Sequence, residues 1–214
     1  MAVLRSIFLA AITFFATHTL AAVSWQFDSN GKLVSASGLV VGSGIYDVEF
    51  RDGSCVSIFD GCDQTSDFDF SNEASARSAA SALLSQVLLD IPGYALDSEP
   101  TLTAGCSLHI ECFIVIPYGS DPLDPSLLLG AAADNTDTVA VDGILSGRMG
   151  GKTDDWSLPA PFTDKVYARF TSQAIPEPGS MTLVALGLVA AGAARRRRAY
   201  RQPTAHGRSM GLDE

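Results

Sequence analysis

Two uncharged apolar stretches, one near each end, limit what this 214-residue chain can fold into. Residues 1–5 end in Arg5, residues 6–16 are apolar apart from Ser6 and Thr13, and Thr19-Leu20-Ala21 follows with small residues at −3 and −1. That order describes a secretory signal peptide, residues 1–21, cleaved after Ala21; cleavage after Ala22 would leave the bulkier Leu20 at −3. At the other end, Pro176-Glu177-Pro178 leads into residues 181–194, which hold no charge, and then Arg195-Arg196-Arg197-Arg198. The prolines fix φ and lack an N–H, so this stretch stays extended and accessible. As a helix the fourteen apolar positions reach about 21 Å against a hydrocarbon core of roughly 30 Å. The segment is therefore a short transmembrane anchor, suited to removal, with arginines that snorkel and hold the following residues 199–214 on the cytoplasmic side. What remains to fold is residues 22–174, enough chain to bury one core.

The order Pro-Glu-Pro, apolar segment, arginine cluster resembles the PEP-CTERM sorting signal of Gram-negative envelope and exopolysaccharide-associated proteins, here over residues 175–198. The resemblance implies that an exosortase-type membrane enzyme recognises Pro176-Glu177-Pro178. It would release or transfer the mature domain, so that the inner-membrane precursor ends at the cell surface or in the extracellular matrix. The chain departs from the usual pattern by continuing for sixteen residues past the arginines, which bears on the efficiency of processing.

Charge is partitioned. Three of the 24 acids and seven of the 14 bases lie outside the middle, leaving 21 acids against 7 bases there. A surface this acidic excludes nucleic acid and anionic lipid as partners. No cofactor is expected; irregular acidic loops around Asp60, Asp63, Asp67 and Asp69, or Asp134, Asp137 and Asp142, are where calcium would be held weakly, although neither has the spacing of a calcium loop.

All four cysteines, Cys55, Cys62, Cys106 and Cys112, lie in the exported part, and an even number in an oxidising compartment argues for two disulfides. Local pairing (Cys55–Cys62, Cys106–Cys112) closes the shortest loops and is preferred on loop entropy. It needs a turn in each loop, which Asp60-Gly61 supplies in the first, whereas residues 107–111 read as a strand. The cross-strand alternative, Cys55–Cys112 with Cys62–Cys106, needs a bulge because its spans differ by one residue. Zinc is disfavoured by the absence of Cys-x-x-Cys spacing.

Alternation and turn residues predict an antiparallel meander: residues 23–27 and 32–34 around Asn30-Gly31, then 38–41 and 45–50 around residues 42–44. An alanine-rich amphipathic helix runs from a cap at Asn72 or Ser71 to about Asp90, with Ala76, Ala80, Leu83, Leu84, Val87 and Leu88 on its apolar face, and Ile91-Pro92-Gly93 stops it. Strands are expected over 108–117, over 138–145 with an interruption at Asp142-Gly143, and over 165–170; the glycine- and proline-rich stretch 146–162 around Trp156 reads as a long loop. The fold class is α+β: a small antiparallel sheet packed against one amphipathic helix, disulfide-bonded. Residues 46–53, Gly61-Cys62-Asp63 and the alanine-rich helix are similar to the N-terminal half of a group of uncharacterised PEP-CTERM ectodomains, a resemblance that brings no activity with it.

Nothing in the middle assembles a catalytic set. Of three histidines only His109 is exported, and Ser107, His109 and Glu111 at alternate strand positions sit roughly 7 Å apart, out of hydrogen-bond reach. No Gly-x-Ser-x-Gly elbow and no phosphate loop accompany them. Trp25, Trp156, Tyr94 and Tyr118 are candidate sugar platforms or core residues. The reading is a non-enzymatic structural or binding component of an exopolysaccharide or biofilm matrix. The alternative is a secreted hydrolase of glycans or esters that depends on Glu111 or His109.

Overall fold

The computed structural model describes residues 22–138, 142–157 and 164–174. All belong to the unit Thr19–Ile175; the other unit, Met1–His18 with Pro176–Glu214, lies outside the described residues. Ala21, Pro176-Glu177-Pro178, Arg195 to Arg198 and the apolar segment therefore fall outside them too. Among the described residues no helix is long and apolar enough to cross a membrane.

Two antiparallel triplets make the sheet. The first is β1 (Ser24–Phe27), β2 (Leu33–Val41) and β3 (Gly44–Arg51); the second is β6 (Glu111–Ser120), β7 (Leu127–Thr136) and β8 (Gly143–Gly151). The last strand, β9 (Lys165–Ser172), enters between them, antiparallel to β3 and parallel to β6, giving one seven-stranded mixed sheet in the order β1-β2-β3-β9-β6-β7-β8. The expected small antiparallel sheet is thus corrected to a larger mixed one. The parallel β6–β9 pairing makes it mixed, and two strands account for its size. β7 reads Leu-Leu-Leu-Gly-Ala-Ala-Ala and is buried on both faces, so it lacks the alternation that marks a half-exposed strand. β8 takes up the first part of the stretch that reads as loop, as far as Gly151, its glycines lying within a strand rather than between strands. A Cβ on Gly130 would stand 2.9 Å from the Met149 side chain and 3.2 Å from the Ile116 carbonyl oxygen, so a glycine is what lets the strands close here.

The β2–β3 hairpin closes as the sequence predicts, Val41 pairing with Gly44 around Gly42 and Ser43, with Gly42 at φ 59°, the sign a II′ turn requires of its first central residue. The first hairpin differs: Phe27 pairs with Leu33, and Asp28 Oδ1 accepts the N–H groups of Asn30 and Lys32 (both 2.8 Å), so an Asx-stabilised five-residue loop replaces the two-residue turn.

Helix α2 (Glu73–Ala82) starts at Asn72, whose Oδ1 accepts the Ser75 N–H at 3.0 Å, and continues as a π-helical turn, Leu83–Val87. It ends there rather than near Asp90, and Asp90–Ile91 instead pairs with Tyr94–Ala95 (β4 and β5) around Pro92-Gly93. The π turn brings Gln86 beside β2 beyond the end of β1. Its Oε1 accepts the Val40 N–H (3.0 Å) and its Nε2 donates to the Val40 carbonyl (2.9 Å), so a side-chain amide stands in for the missing neighbouring strand. Ala76, Ala79, Ala80, Leu83 and Val87 pack with Leu33, Leu39, Val48, Ile114 and Phe170 in the main core.

The other face carries a smaller core of Phe59, Phe68, Val115, Leu128, Ala132 and Tyr167. Its lid is the segment after β3, where α1 (Cys55–Ile58) is stapled by Cys55–Cys62; the second bridge is Cys106–Cys112, so both disulfides are local. Phe68 lies in the smaller core and Phe70 in the main one, while Asp69 Oδ2 accepts the Phe170 N–H at 2.7 Å. The chain therefore crosses from one face to the other where β9 and β6 part beyond Tyr167. Burial raises the Asp69 carboxyl above its usual range, offset by that hydrogen bond and by Arg169.

Candidate functional site

At the end of the sheet where β2 and β9 begin and β3 ends lies a polar pocket of about 270 Å³. Each wall comes from a different stretch of chain. Lys32 enters from the turn before β2, Asp52 follows β3, Gly105 to Ser107 precede β6, Trp156 and Ser157 follow β8, and Asp164 leads into β9. No short sequence motif could announce such a site.

The walls are firmly held. Asp164, 8 % exposed, accepts the Leu108 N–H on Oδ2 at 2.8 Å and the Ser107 N–H on the same oxygen, and its own carbonyl accepts the Phe113 N–H at 2.8 Å. The Cys106–Cys112 bridge closes the loop so held, and Lys32 Nζ donates to the Cys106 carbonyl at 2.9 Å. Gly105, at φ 89°, leaves room for Asp52: a Cβ there would meet Asp52 Oδ1 at 2.6 Å. Asp52 itself is exposed at the mouth, yet partial burial and then the nearby Asp164 raise its carboxyl above the usual range, with Lys32 pulling the other way.

Trp156 is the aromatic of this pocket. It stacks on Tyr167 with ring centroids 4.0 Å apart and planes 13° from parallel, and Tyr167, fully buried, rests edge-on against Phe59. Burial, and then Asp154, push the Tyr167 phenol upward, so it stays neutral. Lys165 Nζ lies 5.3 Å from the Trp156 ring centroid and donates to the Met149 carbonyl at 2.7 Å. Of the four aromatics singled out from sequence, Trp156 alone lines this pocket. Trp25 donates its indole N–H to the Val87 carbonyl at 2.8 Å, Tyr94 stacks on Phe27 at 3.8 Å, and Tyr118 packs against the main core.

The hydrolase candidates do not come together. Residues 107–110 precede the strand rather than forming part of it, and His109, with its side chain 79 % exposed, bonds to Glu99 at 2.8 Å. Glu111 begins β6 opposite Thr136. In the two acidic loops, Asp67 accepts the Asp63 and Gln64 N–H groups, and Asp142 accepts the Thr136 N–H and hydroxyl. Among the described residues the one group of His, Cys, Asp or Glu ligand atoms close enough to share a metal is Cys106, Cys112 and Asp164. Its sulfurs are joined in the disulfide and offer no thiolate.

Residues 174–198 match the PEP-CTERM protein-sorting motif. The chain therefore carries a PEP-CTERM sorting motif, which implies export and cell-surface sorting in bacteria with exosortase as the processing partner. No curated protein and no solved structure matches it.

Proposed function

We propose that the exported domain is a non-enzymatic glycan-binding component of the extracellular matrix of a Gram-negative bacterium, delivered from an inner-membrane precursor anchored by residues 181–194. The observation that carries this reading is Trp156, a partly exposed ring fixed from beneath by Tyr167 and bordered by Asp52, Lys32 and two serine hydroxyls. A sugar presents an apolar C–H face and a rim of hydroxyls that donate and accept, and this wall offers an aromatic platform beside acceptors and donors. Binding is favoured over hydrolysis because Asp164 already spends one carboxylate oxygen on two backbone N–H groups, which suits a wall better than a proton shuttle.

The test uses processed protein recovered from its host and that host's own exopolysaccharide, with a panel of neutral and acidic glycans alongside. Retention on a glycan, weakened about tenfold by Trp156→Ala (the equivalent of ~1.4 kcal/mol), supports the proposal; Asp52→Ala, a change to the same wall at its exposed mouth that leaves the core untouched, is expected to weaken retention too. Release of new reducing ends, abolished by Glu111→Ala or His109→Ala, would establish the hydrolase instead.

A further inference from the structure

The sorting motif follows the folded domain with almost no free chain between them. Gln173 is tied into the fold twice: its N–H donates to the Ile45 carbonyl at 2.8 Å, and its Nε2 donates to Asp47 Oδ1 at 2.6 Å. Asp47 Oδ1 also accepts the Gly38 N–H at 3.3 Å, so the anchor reaches into β2. The matched motif opens at residue 174, directly after it. Pro176 stands three residues beyond Gln173, and an extended chain spans at most about 3.6 Å per residue, so the Pro-Glu-Pro begins within roughly 11 Å of a fixed point on the domain. That is about the width of one helix with its side chains.

The topology says which part of the domain lies around that point. Ser172, at the end of β9, pairs with Tyr46, two residues into β3, so the exposed β2–β3 turn of Gly42 and Ser43 sits beside the exit. β6 runs parallel to β9, which brings the β6–β7 turn to the same end. There Leu123 is 86 % exposed, the most exposed of the large apolar side chains among the described residues. The pocket of Asp52 and Trp156 lies at the opposite end of the sheet.

An enzyme that grips Pro176-Glu177-Pro178 on a tether this short must come up against folded protein. We propose that the end of the domain carrying the β2–β3 turn is a contact surface for the exosortase, engaged together with the Pro-Glu-Pro. The sheet end is thus part of what the enzyme has to accommodate, and the three motif residues are not presented as a free peptide.

The test attaches a polymer of about 5 kDa to Ser43→Cys in the full-length precursor, in membrane vesicles containing the enzyme. Asn30→Cys, exposed on the β1–β2 loop at the opposite end, takes the same polymer as a control. The native cysteines are buried in disulfides and do not react. Processing is expected to fall at least tenfold with the polymer at Ser43 and to be unchanged with it at Asn30. A ten-residue Gly/Ser insertion between Ala174 and Ile175 is expected to restore the rate of the Ser43 conjugate. Undiminished processing of the Ser43 conjugate, an equal loss from Asn30, or no rescue by the insertion would each overturn the proposal.

Discussion

Removing the Cys55–Cys62 bridge by a double alanine substitution tests what the short staple contributes. The bridge closes a separation of 7 residues, for which chain entropy assigns about 2.4 kcal/mol at 25 °C. The second bridge, with a separation of 6, comes to about 2.2 kcal/mol on the same basis. A domain of this size loses about 2–4 °C in Tm per kcal/mol, so either pair removed alone should lower the melting temperature by roughly 5–10 °C. Cross-strand bridges, spanning more than about 40 residues, would each be worth about 4 kcal/mol and cost correspondingly more. The loop that Cys55–Cys62 closes also carries Phe59 into the smaller core against Tyr167, so the variant should gain protease sensitivity near residues 56–61 before it melts globally. The assay is differential scanning calorimetry of the processed protein under oxidising conditions, with limited proteolysis and peptide mapping without reduction. An unchanged Tm, or a fall above about 15 °C from one bridge, would refute the assignment of a short-loop staple.

Other outcomes follow from single contacts. Gln86→Ala strips the side-chain hydrogen bonds from the Val40 N–H and the Val40 carbonyl and should destabilise the domain by about 1–3 kcal/mol, read as a lower denaturant midpoint at unchanged slope. Asp134 has its carboxyl raised to about 6 by burial and then by Glu111 and Asp142, and its Oδ1 is buried without a hydrogen-bond partner. The folded state holds a proton that the unfolded state has already lost, so this group's stabilisation is present below about pH 4 and is lost as pH rises to about 6. Asp97, raised to about 6 by burial and then by Asp142, acts in the same sense. Tm should therefore fall between pH 4 and 6.5, and Asp134→Asn should flatten that decline and raise Tm at pH 7; an unchanged slope in the variant would rule the contribution out.

How far the fold can be read from the residues depends on how each element is covered. The β2–β3 hairpin, the strand at 165–170 and the capped alanine helix are legible because each shows one apolar face and a defined boundary, the pattern that alternation, helical period and turn chemistry report. The helix end is not legible: Leu88 and Leu89 continue the apolar run, while the π turn is set by Gln86 and Trp25 meeting neighbours distant in sequence. β7 escapes for the opposite reason. Wedged between the alanine helix and the stapled lid, it has no exposed face and is made of small residues, since anything larger at Gly130 would collide with its neighbours. Nor does the sequence show that the last strand enters the middle of the sheet, since that order depends on its pairing both with β3, more than a hundred residues away, and with β6.

The sorting motif and the pocket differ in legibility for the same reason. A sorting signal must be read as a linear peptide by an enzyme, so its information is contiguous and survives without the fold. The pocket is assembled from five separate stretches of chain, and its residues are ordinary in their own neighbourhoods: Asp164 precedes a strand, Gly105 lies in a turn, and Trp156 lies in a glycine-rich stretch. Only the sheet makes them one wall. The same sheet sets that wall at the end remote from Gln173. On the two proposals made above, the end that the sorting enzyme meets is then not the end that meets the glycan. If both proposals hold, a polymer on Ser43 should stop processing yet leave glycan retention intact. Trp156→Ala should do the reverse, so the two functions can be separated on one domain.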